Sequence, residues 1–192
     1  MRTLRALAAI GLVVTLAACG EDDGGSSDSA RPSRTEHNAA DVAFAADMIQ
    51  HHAQALSMVD LTMDRRLDPE VQALADDIRA AQAPEIERMS DWLEEWGEEI
   101  PETVRDHANA HGDGHDAGAT GGDMPGMMSA DEMAELADAP DAEFQEQWLE
   151  TMKEHHEGAV QMAEAQQEDG RYGPALDLAE EIETIDALLS SQ

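Results

Sequence analysis

The sequence predicts an all-α protein: a four-helix bundle made of two repeated helical hairpins, with a short extra helix in the long connection between them. Three observations carry this. Apolar side chains recur at spacings of three and four over long stretches, the period of one buried helix face. Aromatic residues make up only 3% of the chain, and no run of alternating β-branched residues offers a strand. A stretch of the first half also returns in the second, so four long helices fall into two pairs.

Residues 1–18 place Arg2 and Arg5 ahead of an apolar run too short for a comfortable membrane span, the layout of a secretory signal peptide. The run ends in Leu16-Ala17-Ala18-Cys19, which resembles the bacterial lipobox, where the cysteine is lipidated and becomes the first mature residue. Cys19 is the only cysteine, so no intramolecular disulfide can form. Residues 19–36 are Gly, Ser and acid with almost nothing apolar to bury, and read as a flexible tether. A single domain is expected from His37 to the end at residue 192.

The first hairpin is read at 37–97. Phe44, Met48, Ala55, Met58, Val59 and Met63 mark its first helix, over about 37–66. Asp68-Pro69 restarts the chain with an N-cap and a proline at the first helical position. Gly97 stops the second helix after Trp96, with Pro101 beyond. Residues 98–139 form a His- and Met-rich connection. Its start is Gly- and Asp-rich, and Ser129 to Glu132 reads as a capping box opening a short helix to about Asp138. The second hairpin, 140–190, holds a third helix from Asp141 to Asp169, closed by Gly170, and a fourth from Pro174 to about Ser190.

The charge narrows the partners. Eleven basic against 43 acidic residues, a formal −32, repel phosphate backbones and anionic headgroups, which excludes nucleic acid and favours cations. Bulk acidity is also the mark of a merely solvated surface, so charge alone does not choose a function.

The repeat is more informative. Residues 41–78 align on 145–182 without a gap, at a constant offset of 104, with eight identities. Five of them cluster: Met48, His51, His52, Ala55 and Met58 fall on Met152, His155, His156, Ala159 and Met162. At about 100° per residue, and with Met48 at zero, His51 lies near about −60°, His52 about +40°, Ala55 about −20° and Met58 about −80°. All share one third of the helix surface, with the small alanine in the middle. If the first and third helices run parallel from starts near 37 and 141, the two stripes face each other at one depth. A pocket flanked by imidazoles and thioethers suits a soft or borderline cation. Thioether prefers Cu(I), imidazole accepts Cu(I), Cu(II) or Zn(II), and copper fits the mixture best, ahead of zinc. Against this, methionines at such spacing are more often core filler, and a lone His pair is usually surface or a hydrogen-bonded core residue. The duplication tips the balance toward metal. Within each pair, one His can ligate while its neighbour holds a carboxylate.

A weaker metal candidate lies in the connection, where His107, His111 and His115 recur every fourth residue and Met124, Met127 and Met128 follow. An inert solvated linker is the competing reading.

The segments DVAFAADMIQHHAQALSM, LADDIRAAQAPEIERMSDWL, MPGMMSADEMAEL and MKEHHEGAVQMAE, spread over residues 37–182, resemble the bacterial family known as domain of unknown function 305. That resemblance implies a ferritin-like fold, export, copper binding in some members and a link to copper tolerance. By similarity it implies ligand roles for Met48, His51, His52, Met58, Met152, His155, His156 and Met162. Three departures stand out. Lys153-Glu154 precedes the second His pair, so that helix should be more exposed; Pro84 should kink the second helix; and the last helix stops early, leaving one end of the bundle open or covered by a partner.

No enzyme machinery is visible. Di-iron bundles use Glu-x-x-His, and no Glu here has a His three positions on; zinc-protease, nucleophile-elbow and phosphate-loop motifs are missing too. Redox turnover of bound copper stays open, since mixed His and Met ligation tolerates both oxidation states. The expectation is therefore an extracytoplasmic lipoprotein, anchored to the bacterial membrane by lipidated Cys19, that binds copper for buffering, tolerance or transfer. Acid should release the ion as the imidazoles protonate. A homodimer or a copper-delivery protein are the expected protein partners. The alternative is an all-helical interaction scaffold without metal.

Overall fold

The computed structural model describes residues 32–108 and 124–190, with side chains up to Asp106 and from Met124 to Glu183. The expected signal peptide, Cys19 and most of the expected tether lie outside these residues. Among the described residues there are six helices: α1 (Ala39–Asp60), α2 (Pro69–Trp96), α3 (Val104–Ala108), α4 (Ala130–Asp138), α5 (Asp141–Asp169) and α6 (Gly173–Ser190). The four long ones form two hairpins, α1–α2 and α5–α6, joined along α1 and α5. Among the described residues no strand occurs and no helix is long and apolar enough to cross a membrane.

Local sequence explains most boundaries. Asn38 caps α1, accepting from the backbone N–H groups of Ala40 and Asp41, while the Asp41 carboxylate accepts from the Asn38 N–H. Gly97 adopts φ 75° and closes α2, its neighbour Glu98 donating back to Leu93 at 2.9 Å. The Ser129–Glu132 capping box opens α4 as expected. The second helix runs on past Pro84 to Trp96 as one element.

Other boundaries depart from expectation. The first helix ends at Asp60, not near 66, and Met63 lies beyond it, 67% exposed. The reason is tertiary: Arg65 donates to the carbonyls of Ala137 and Ala139, both at 2.6 Å, and sits over the Phe144 ring. Asp68 caps nothing with its side chain; it accepts from Gln145 Nε2 at 2.9 Å instead. The short α3 was not expected, and Arg105 ties it to Asp60 at 2.6 Å. The last residues of the expected tether are bound: Ser33 bridges to Tyr172, Glu36 pairs with Arg171, and His37 stacks on Trp96 with ring centroids 4.4 Å apart. The folded part begins by Ser33.

The largest correction concerns direction. Asn38 donates to Asp169 O at 2.8 Å, while Trp148 at the other end donates to Met58 O at 2.9 Å. The start of α1 therefore meets the end of α5, and the two helices are antiparallel. Two apolar clusters follow. The first joins Phe44, Met48, Met89, Trp92, Ala159, Ala163 and Leu178; the second joins Ala55, Met58, Val71, Phe144, Trp148 and Met152. Met128, Leu136 and Ala139, from the connection and α4, complete the second cluster.

Each hairpin holds the other's corner. The buried Asp41 carboxylate accepts from Gln166 Nε2 at 2.7 Å and from the backbone N–H groups of Arg171 and Tyr172, both at 3.0 Å. Gln145, 104 positions after Asp41, accepts from the Asp68 N–H at 2.8 Å, and Asp68 lies 104 before Tyr172. The buried, charged version binds more donors and excludes water, so it should matter more. Asp41→Ala is expected to destabilise the protein by roughly 3–5 kcal/mol, and Gln145→Ala by under about 1 kcal/mol. Urea unfolding of the two variants checks this; equal losses would contradict it.

Candidate metal centre

Antiparallel packing brings the centres of the two motifs together and separates their ends. The His51 and His155 rings lie in contact, centroids 3.7 Å apart and tilted by 39°. Both are fully buried, between the two apolar clusters. The methionines divide between those two clusters. Met48 and Met162 belong with the first cluster, Met58 and Met152 with the second. Of the expected pocket, flanked by up to four imidazoles and four thioethers, the two facing imidazoles meet at the centre and two methionines lie toward each side, because reversing one helix exchanges the ends of its stripe.

The two His pairs are unequal. His52 is buried and donates from Nε2 to Glu85 Oε2 of α2 at 2.8 Å, whereas His156 is half-buried beside the exposed Lys153 and Glu154. Greater exposure of the second motif was expected from those two residues. Glu85 has no counterpart in the second hairpin, where the position 104 later is Leu189.

His51 is oriented by the connection. Its Nε2 lies 3.2 Å from the Pro125 carbonyl oxygen. A carbonyl only accepts, so Nε2 carries the proton and Nδ1 the lone pair. Burial holds this imidazole down at about 3, far below its usual 6.5; repulsion from the His52 and His156 rings adds to this and the Pro125 carbonyl partly opposes it. His155 is likewise held well below 6.5, by burial first and then by the neighbouring rings. Both are neutral at physiological pH. His51 Nδ1, His52 Nδ1 and His155 Nε2 are buried without a hydrogen-bond partner, and each such atom costs about 1–3 kcal/mol if nothing binds it.

The residues Met124 to Met128 cross this layer as a strap. Gln54 clamps Met128 twice, donating to its carbonyl at 2.8 Å and accepting from its N–H at 2.7 Å. A Cβ on Gly158 of α5 would stand 2.1 Å from Pro125 O, and one on Gly126, at φ 75°, would stand 2.7 Å from Glu154 O. Both glycines are therefore needed for backbone to meet backbone. Of the weaker metal candidates, Met128 is core, in the second apolar cluster, while Met124 and Met127 are half-buried on the strap. The side chain of His107 and the whole of His111 and His115 lie outside the described residues.

Sequence reasoning missed Glu85, Gln54, Gly158 and Pro125. Only Gly158 carried a signal, as a glycine inside a helix that otherwise has no reason for one.

Among the described residues no three His, Cys, Asp or Glu side chains converge on one point. The donors at hand are neutral imidazoles, with thioethers in the flanking clusters. That set suits a soft ion of low coordination number and not a hard cation that requires six or more oxygens.

The buried imidazoles also set a pH dependence. The unfolded chain takes up protons at the ordinary His value of 6.5, whereas folded His51 does so only near about 3. Stability of the metal-free protein should therefore fall as pH drops from about 6.5 toward 3, since the unfolded state binds more protons. Urea midpoints across that range should fall less steeply in a His51→Leu/His155→Leu variant; parallel profiles would rule the effect out.

The family model for domain of unknown function DUF305 matches residues 41–187. A DUF305 protein from Streptomyces coelicolor is similar in structure, with 33% identity over 76% of this chain and 82% of its own, at a TM-score of 0.62. A DUF305 fragment from Deinococcus radiodurans is 28% identical over 81% of this chain and 98% of its own, at 0.61. CopM in its Cu(II)-bound form shares the fold at 24% identity, over 77% and 88% of the two chains and a TM-score of 0.58. No curated protein matches the chain. With its helical fold and a family match over most of its length, the chain belongs to the DUF305 family.

Proposed function

We propose that this protein binds copper outside the cytoplasm and buffers it or passes it on, without catalysing a reaction. The observation that carries this is the His51–His155 contact: two neutral imidazoles pressed together in the core, each with a buried ring nitrogen that has no partner. A pair of stacked histidines that served packing alone would be replaced at a gain by apolar side chains of similar size. A cation accepting their lone pairs repays the burial. The structures of CopM in Cu(II)-bound and Cu(I)-bound forms, which share this fold, support the choice of metal.

In this reading the protein is a lipoprotein held at the bacterial membrane by lipidated Cys19, as its N-terminus suggests, and the ion is cargo. His51 and His155 hold it, and the Glu85 carboxylate orients the neighbouring His52. The flanking pairs Met48–Met162 and Met58–Met152 supply a soft surround for Cu(I). Transfer then proceeds by ligand exchange with a delivery partner or a second copy of the chain. Because burial already disfavours the protonated rings, protons compete with the ion only in strong acid, well below the 6.5 of a free histidine.

The buried methionines equally suit a plain helical core, and a metal-free interaction scaffold is the competing function. Native mass spectrometry after copper loading separates the two. The unmodified protein should retain copper, and the variant with His51, His52, His155 and His156 all changed to Ala should retain none. Equal copper content in both would favour the scaffold.

A further inference from the structure

We propose that the Met124–Met128 strap is a positioning element that decides which nitrogen of His51 is offered to a soft cation. This rests on the metal-binding reading above and adds to it a part of the chain outside the repeated motifs.

The geometry is specific. Pro125 places its carbonyl 3.2 Å from His51 Nε2, so the proton stays on that nitrogen and Nδ1 faces the buried layer with its lone pair. A peptide carbonyl cannot be protonated or displaced by rotation of a side chain, which makes it a fixed selector of the tautomer. The strap is itself held from both helices. Gln54 on α1, one turn beyond His51, makes the pair of buried hydrogen bonds to Met128. On α5, Gly158 leaves the gap that Pro125 and Gly126 enter, one turn beyond His155. Positions 54 and 158 are 104 apart and occupy the same place in the two motifs. One copy thus carries the clamp and the other the socket, and the strap lies across both. Nothing in core packing requires this asymmetry. A methyl group would suit a helix better than Gly158 by about 1 kcal/mol, and Gln54 is a polar amide buried for the sake of two backbone bonds.

The test reads the tautomer in metal-free protein and soft-cation affinity separately. Long-range 1H–15N spectra of the 15N-labelled protein report which ring nitrogen of His51 is protonated, and Ag(I), which is soft and redox-inert, is the probe for binding. The unmodified protein should show His51 protonated at Nε2. Gly158→Ala, whose methyl would collide with Pro125, and Gln54→Ala, which releases Met128 without adding bulk, should both shift His51 toward Nδ1–H or a mixture. Each should also weaken Ag(I) binding by about tenfold or more. Gln54→Ala keeps the test valid should Gly158→Ala fail to fold. Retention of the Nε2–H form in a folded variant, or an Nδ1–H form in the unmodified protein, would overturn the assignment. If the unmodified protein binds no Ag(I) while the tautomer still follows the strap, the metal-binding reading falls and the strap's hold on His51 stands.

Discussion

The antiparallel crossing of α1 and α5 is the constraint from which the rest of the structure follows. It fixes which residues of the two hairpins can meet, because contacts on one helix run in the opposite order on the other. Trp148 reaches Met58 at one end, Asp41 reaches Gln166 at the other, and His51 meets His155 halfway. The histidines occupy the crossing point, the place where two stripes of the same design can touch at like positions. An apolar cluster lies on either side, so the imidazoles sit in a layer of low dielectric. That environment keeps them neutral, and neutral rings are the form in which they can donate electron pairs.

The same crossing explains why the methionines divide into two pairs. A single soft-donor pocket would need both stripes to point the same way along the bundle. With one reversed, the methionine that precedes one His pair lies level with the one that follows the other pair. Each pair then joins its own apolar cluster. Thioethers can serve both as filling and as soft donors, which lets the fold keep a dense core next to a layer of unsatisfied nitrogens.

The approximate equivalence of the hairpins breaks down where chemistry is concentrated. Glu85 orients His52, and the position 104 after Glu85 is Leu189, which carries no carboxylate; the strap bonds to His51 and packs against the backbone beside His155. A strictly two-fold layer would present two equal faces to an ion. Here one side is ordered by a carboxylate and a carbonyl, and the other lies closer to solvent. Orientation of donor rings by a second set of hydrogen bonds is a common way for a protein to tune affinity at a metal site.

Much of the architecture was readable from the chain alone. Helix period, the Pro69 start, the Gly97 stop and the capping box at Ser129 are local signals, and local signals are set by residues within a turn or two of one another. The recurrence of Met48, His51, His52 and Met58 at Met152, His155, His156 and Met162 was legible too, because identity at spaced positions survives in sequence whatever the packing. Helix direction could not be read that way, since two stripes face each other equally well parallel or antiparallel when only angular position is known. Nor could the early end of α1, which Arg65 imposes by reaching across to Ala137, or the hold on His52, which comes from a glutamate 33 residues away. By itself the sequence determined the four long helices, their pairing into hairpins and the repeated His and Met positions of the candidate site. Tertiary structure alone decided which of those residues meet, because contact depends on the relative direction and depth of helices, and no short-range pattern encodes either.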